Sequence, residues 1–316
     1  MSPVDEALDE YTAITERCGL LDRSERGKLA LAGAGAKEFL HGQVSNDIEG
    51  LRAGRGCYAA LLTPKGKMLG DVRVLDTGEE LLLDTERVAL QELFNTIRRF
   101  GIGYEFELLK RTLECGLFSL LGPGSYAAVG DLSLAHADEH VHRMVEIDGI
   151  AARAIRTLDG VDLLYDADLA PALSEALAKQ AQPVSEGAAE TLRIERGRPR
   201  YGLDIDESVI PQEAGLNERA VSFTKGCYVG QETVARLFYR GKPNRLLRGL
   251  RLTSPAATRD QLMFENKLVG SLGTVSESPR LGWIALALVR REAPPGSTVT
   301  VGEDGASAEV VELPFG

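Results

Sequence analysis

The chain has 316 residues, 44% of them hydrophobic and 26% charged, with a formal net charge of −11. Such a chain builds a well-buried core in two domains or one large compound domain, which excludes disordered, fibrous and repetitive classes. The acidity disfavours direct nucleic-acid binding, where affinity comes mainly from basic side chains neutralising phosphates.

In chain order, Leu8, Tyr11 and Ile14 recur at helical spacing in VDEALDEYTAITERCGLLD, predicting an amphipathic helix with Gly19 as its stop. GKLALAG predicts a strand. AGAKEFLHGQVSND predicts a helix whose polar end carries Gln43, Ser45, Asn46 and Asp47. GCYAALLTPKGKMLGDVRVLDTGEELLLDT predicts consecutive strands turning at Pro64, Gly66 and Gly78. RVALQELFNTIRRFGIG returns to helix, with Leu90, Leu93, Phe94 and Ile97 on one face and Gly101 past the end.

The middle alternates short strands with helices around GSYAAVGD and APALSEALAKQ. GAAETLRIERGRPRYGLDIDESVIPQEAGL then predicts a helix running into a long polar loop, a feature usually functional inside a domain. From about 240, short strands alternate with the turns ENK, SESP, PPGS and GEDG, predicting a small all-β barrel or sandwich. The whole reads as α+β with an all-β tail, divided into residues 1–239 and 240–316.

No apolar window reaches the ~18 residues that cross a membrane. The acid-bearing N-terminus is unlike a secretory or transit peptide, so a cytoplasmic protein without membrane contact is expected. Cysteines stand at 18, 57, 115 and 227, without the Cys-x-x-Cys spacing of local metal sites. His136, His140 and His142 lie close together in AHADEHVHR, but their spacing fits a solvated loop better than a metal centre.

FTKGCYVGQETVAR, from Phe223 to Arg236, is the most distinctive stretch. It reads as a helix start with Cys227 near the N-cap, where free N–H groups favour negative charge. Lys225 adds a cation, and both features favour a thiolate. Lysine, glycine and glutamine are poor neighbours for a core residue, so Cys227 is expected to be reactive, with Lys225 assisting. Cys18, Cys57 and Cys115 lie in apolar patterns and are expected to be inert.

VSFTKGCYVGQETVARLFYRGKPNR closely resembles the signature of the YgfZ family, folate-binding proteins of iron–sulfur enzyme maintenance, sometimes labelled tRNA-modifying. The surrounding chain resembles the wider superfamily of the glycine cleavage T-protein, a tetrahydrofolate-dependent aminomethyltransferase. KEFLHGQVSNDI, YAALLTPKGKMLGDVRV and ETLRIERGRPRYGLDIDESVIPQEAGL follow in the order that superfamily shows. The resemblance implies a clover-leaf of three modules ending in a β-barrel, two interleaved modules before it, and folate in a central cavity lined by Glu195 and Asp71.

Glu195 in LRIERG matches the glutamate that holds the pterin ring in the T-protein pattern; otherwise it reads as an exposed helix-end acid paired with Arg193 or Arg196. Asp71 in MLGDVRV falls where T-proteins carry two adjacent aspartates, but Gly70 stands at the first position. Asp71 is thus left between catalysis, a folate contact and a structural role. The Tyr-Thr-Gly-Glu segment of T-proteins is absent from AIRTLDGVDLLYD, and T-proteins lack a cysteine at the position of Cys227.

Arg236, Arg240, Lys242, Arg245 and Arg248 follow without an acid, with Phe238 and Tyr239 among them. This run reads as a site for the folate glutamate tail, as a docking strip for an acidic partner or RNA, or as a solvated linker. The expected cofactor set is Glu195, Asp71, Gln231, Arg236 and Tyr239, around tetrahydrofolate or a derivative. The resemblance implies an accessory protein serving iron–sulfur client enzymes or cluster carriers. The alternative is a tetrahydrofolate-dependent aminomethyltransferase.

Overall fold

The computed structural model describes residues 3–303 and 305–316, so Asp304 of the GEDG turn lies outside the described residues. The chain divides into two compact bodies. One takes the chain up to Leu61, with Gly70–Ala189 and Thr224–Val229; the other takes Leu62–Leu69, Glu190–Phe223 and Gly230–Gly316.

Two sheets organise the first body. In the five-stranded sheet the order is Arg55–Leu62, Met68–Asp76, Glu80–Thr85, Gly27–Ala32 and Glu107–Lys110. The central strands bury nearly every residue, because both sheet faces are covered. The six-stranded sheet runs Gln182–Pro183, Gly19–Asp22, Cys115–Leu121, Gly160–Asp166, Ile150–Thr157 and His142–Ile147. Phe118, Leu120, Val161, Leu163, Leu173 and Leu177 form part of its core.

Charges cross from one sheet to the other. Arg73 on Met68–Asp76 pairs with Asp84 at 2.6 Å and with Asp162 of the six-stranded sheet at 2.5 Å. Arg26 Nε reaches Asp84 at 2.7 Å. Burial opposes the Asp84 charge, but Arg26 and Arg73 outweigh it and hold the carboxyl below its ordinary range. Removing one partner would leave an uncompensated buried charge, so these residues act as a unit.

In the second body, a closed barrel follows the order Arg245–Leu252, Gly282–Arg290, Lys267–Ser278, Gln261–Phe264, Thr298–Val301 and Ala306–Val311. Alternate residues point inward: Leu250 and Leu252, Ala285, Ala287 and Val289, Val299 and Val301, Ala308 and Val310. This period of two is what the short apolar segments of the tail encode. The α+β class and the terminal β-barrel are therefore as the sequence predicts.

Two local expectations are corrected. The first helix, Pro3–Glu16, ends before Gly19, which instead begins the strand Gly19–Asp22. A Cβ on Gly19 would meet Ile14 Cγ2 at 2.5 Å, so this glycine permits close packing rather than stopping a helix. The later helix is Gln231–Arg240, so Cys227 precedes it and is not near its N-cap. Gly230 takes that position with φ +85, a left-handed conformation that glycine adopts readily. No helix among the described residues is long and apolar enough to cross a membrane.

Candidate functional site

The signature segment Thr224–Val229 lies across the end of the helix Ala36–Gln43 in the first body. Helix ends expose carbonyls without intrahelical partners, and cations satisfy them well. Lys225 does this here: its Nζ donates to the carbonyls of His41, Val44 (2.8 Å) and Asn46 (3.1 Å). Val229 N donates to Gly42 O at 3.2 Å, and Lys225 Nζ lies 4.9 Å from the Tyr228 ring centroid. Burial brings the Lys225 ammonium down to about 8, against the opposing pull of Asp47, Cys57 and Glu49.

Lys225 therefore acts as a clamp on the loop after Gln43. Beside the role toward Cys227 that the sequence suggests, this cation holds three carbonyls. Cys227 itself is exposed. Burial pushes Cys18 up to about 11 and Cys57 up to about 12, and raises Cys115 as well. Those thiols resist ionisation for the reason their apolar patterns suggest.

The clamped loop is tied onward. Asn46 Nδ2 donates to Tyr58 O at 2.8 Å, and Ala60 N donates to Ser45 Oγ at 2.8 Å. The Tyr58 hydroxyl donates to Asp71 Oδ2 at 2.5 Å, and the Thr85 hydroxyl donates to Asp71 O. Lys225, Asn46, Tyr58 and Asp71 are thus linked residue to residue, the last two through the far end of the Tyr58 ring. Asp71 is buried, with 7% exposure. Its neighbour Gly70 has no room for a side chain, since a Cβ there would lie 2.8 Å from Ala89 Cβ.

Glu195 closes the helix Glu186–Glu195 and belongs to the second body. It is not the exposed acid of the simpler sequence reading: its exposure is 5%. The Ser278 hydroxyl donates to Oε1, and Arg280 stands 3.5 Å from Oε2. Arg193 points elsewhere, pairing with Glu190 and with the fully buried Asp204, each at 2.7 Å, and donating to Thr274 Oγ1. Glu195 is thus a buried carboxylate held by hydrogen-bond and ionic partners of its own body.

Gln231 is the half-buried first residue of its helix. That helix packs on the turn at TPKGK: a Cβ on Gly66 would meet Thr233 Cβ at 2.9 Å, and one on Gly230 would meet Thr63 O at 2.6 Å. Arg236 is exposed, and Tyr239 is 67% exposed. Tyr58, Ser278 and Arg280 escape the sequence reading, because their partners lie 13, 83 and 85 residues away. His142 is buried at the start of the strand His142–Ile147, not in a solvated loop: its Nε2 faces Arg55 O at 3.3 Å, and its Nδ1 faces Arg153 at 3.0 Å.

Residues 3–225 match the model of the GCVT N-terminal domain. The chain belongs to that family. It is similar to aminomethyltransferases of Rubrobacter xylanophilus (30% identical, covering 97% of this chain and 85% of that one) and Geobacillus kaustophilus (30%, covering 97% and 89%). It is also similar to a chloroplastic protein of Arabidopsis thaliana that carries a transferase name (29%, covering 98% and 73%). The solved glycine cleavage system aminomethyltransferase T of Bartonella henselae shares the fold, with TM-score 0.85 at 23% identity over 98% of this chain and 89% of that one. Within this family fold, Cys227 lies just beyond the matched stretch.

Proposed function

We propose that the protein is a folate-binding accessory factor of the YgfZ type. It supports assembly or repair of iron–sulfur clusters in client enzymes, tRNA-modifying ones included, and Cys227 is its working residue. The observation that carries this reading is the exposed Cys227 in a segment fastened by Lys225, within the Lys-Gly-Cys-Tyr-x-Gly-Gln-Glu signature. A thiol meant to meet a partner must be reachable and held in place, and this one is both.

The proposed ligand is a reduced folate. Glu195 is the carboxylate proposed for the pterin edge, and Asp71, held by Tyr58, is a second proposed folate residue. Gln231 adds an amide capable of donating and accepting. The folate, when bound, carries a one-carbon unit; the protein binds and orients it. Lys225 is the positioning residue for the loop bearing Cys227. An iron–sulfur cluster takes about four ligands, so a single thiol shares its cargo with ligands on the client or carrier. The proposed setting is the cytoplasm, where thiols stay reduced.

The relatives' names favour a second reading, a tetrahydrofolate-dependent aminomethyltransferase. Gly70, closed off by Ala89, speaks against it because the first of the paired aspartates has no place. The experiment is an assay of purified protein for folate-dependent ammonia release from an aminomethylated carrier. The proposal expects none. Turnover at about one per second or faster establishes the second reading.

A further inference from the structure

The helix Gln231–Arg240 ends in a group of rings, of which the folate expectation takes up only Tyr239. Phe223 and Phe238 stack with centroids 3.8 Å apart and planes at 17°. Tyr239 meets Phe238 edge-on at 5.0 Å and Phe223 at 6.4 Å. Yet Phe238 is 46% exposed and Tyr239 67% exposed. The same helix buries Val234, so its own packing is served elsewhere.

The charge around these rings is of one sign. From Thr233 to Arg259 the sequence holds no aspartate or glutamate, in a chain whose net charge is −11. Arg245 pairs with Glu213 and Arg248 with Glu312. Arg236, Arg240 and Lys242 are exposed, and none forms an ion pair with another described residue. Arg236 and Arg240 are one helical turn apart, which places them on the same surface, with Tyr239 between.

We infer that this helix end is a docking surface for an acidic protein segment that carries an aromatic side chain. Exposed tyrosine and arginine are the side chains that dominate protein interfaces. Tyr239 is already braced by two rings, so contact costs it little further freedom. A local cationic patch on an acidic protein attracts an acidic partner and steers its approach. Three unpaired cations are few for a nucleic acid, whose affinity grows with each phosphate neutralised, and the remaining charge would repel it.

The test uses the full chain and a fluorescein-labelled peptide of glutamates with two tyrosines, followed by fluorescence anisotropy at low and raised salt. Saturable, salt-sensitive binding is expected. Tyr239→Ala should weaken it about tenfold. The pair Arg236→Ser and Arg240→Ser should weaken it at least as much, while Arg87→Ser, an exposed arginine outside the patch, should leave it unchanged. These side chains are exposed, and circular dichroism checks that the variants fold. The inference is overturned if wild type fails to bind or if the variants bind like wild type. Tighter binding of an oligothymidylate or of polyglutamyl folate to the same residues also overturns it, and names the other occupant.

Discussion

Ala89 occupies the space that a side chain at residue 70 would need: its Cβ lies 2.8 Å from where a Cβ on Gly70 would stand. Ala89 is 2% exposed and precedes the helix Leu90–Phe100, so it has little freedom to retreat. Gly70→Asp should therefore destabilise the fold by about 1–3 kcal/mol through overpacking. Urea denaturation measures this. The double variant Gly70→Asp with Ala89→Gly should recover part of the loss, and a purely additive cycle would show that the two positions are not in contact.

Glu195 offers the second measurable consequence. If its carboxylate accepts from a bound pterin, Glu195→Ala should weaken reduced-folate binding by about 1.5–3 kcal/mol, the value of a charged hydrogen bond. Glu195→Gln keeps the volume and one acceptor, so it should lose less. Calorimetry on folded variants decides; equal affinity across all three proteins removes Glu195 from the folate site.

Among the four thiols, Cys227 should react first with a small alkylating agent at neutral pH. Cys18 at about 11 and Cys57 at about 12 hold almost no thiolate there, and Cys115 is shifted in the same direction. Peptide mass spectrometry over a time course gives the order. Labelling of Cys227 only after denaturant would place its sulfur in the interior, against its exposure in the fold.

His142 makes the fold sensitive to acid. Burial, then Arg153, lowers its pKa from 6.5 to about 4. A base depressed on folding binds fewer protons folded than unfolded between those values. Its contribution is thus fully present above 6.5 and is lost as pH falls toward about 4. Denaturation midpoints across that window should decline in wild type and decline less steeply in His142→Gln. Parallel pH profiles would remove His142 as a source of acid sensitivity.

Much of this was legible in the sequence where the signal is local. The alternating valines, leucines and alanines of the tail encode the barrel, and DTGEE encodes the tight turn at Gly78, whose φ is +90. Gly70 was visible as a departure from a paired-aspartate pattern, but its physical reason sits at Ala89, on a separate element. The helix start was misplaced because KGCYVGQE carries no distinguishing period; Gly230's left-handed backbone decides it. Lys225 reads as a partner for the adjacent thiol, and its carbonyl partners, 184, 181 and 179 residues away, are not legible beside it. Long-range contacts of this kind have no local signature.

The central claim is that Cys227 does the work of an iron–sulfur accessory factor. Its most direct measurement is iron–sulfur enzyme activity in a strain lacking this protein, complemented with wild type or with Cys227→Ser expressed at equal level. The account predicts low activity in the deletion strain, recovery with wild type, and little recovery with Cys227→Ser. Full recovery with Cys227→Ser, or normal activity in the deletion strain, would contradict it.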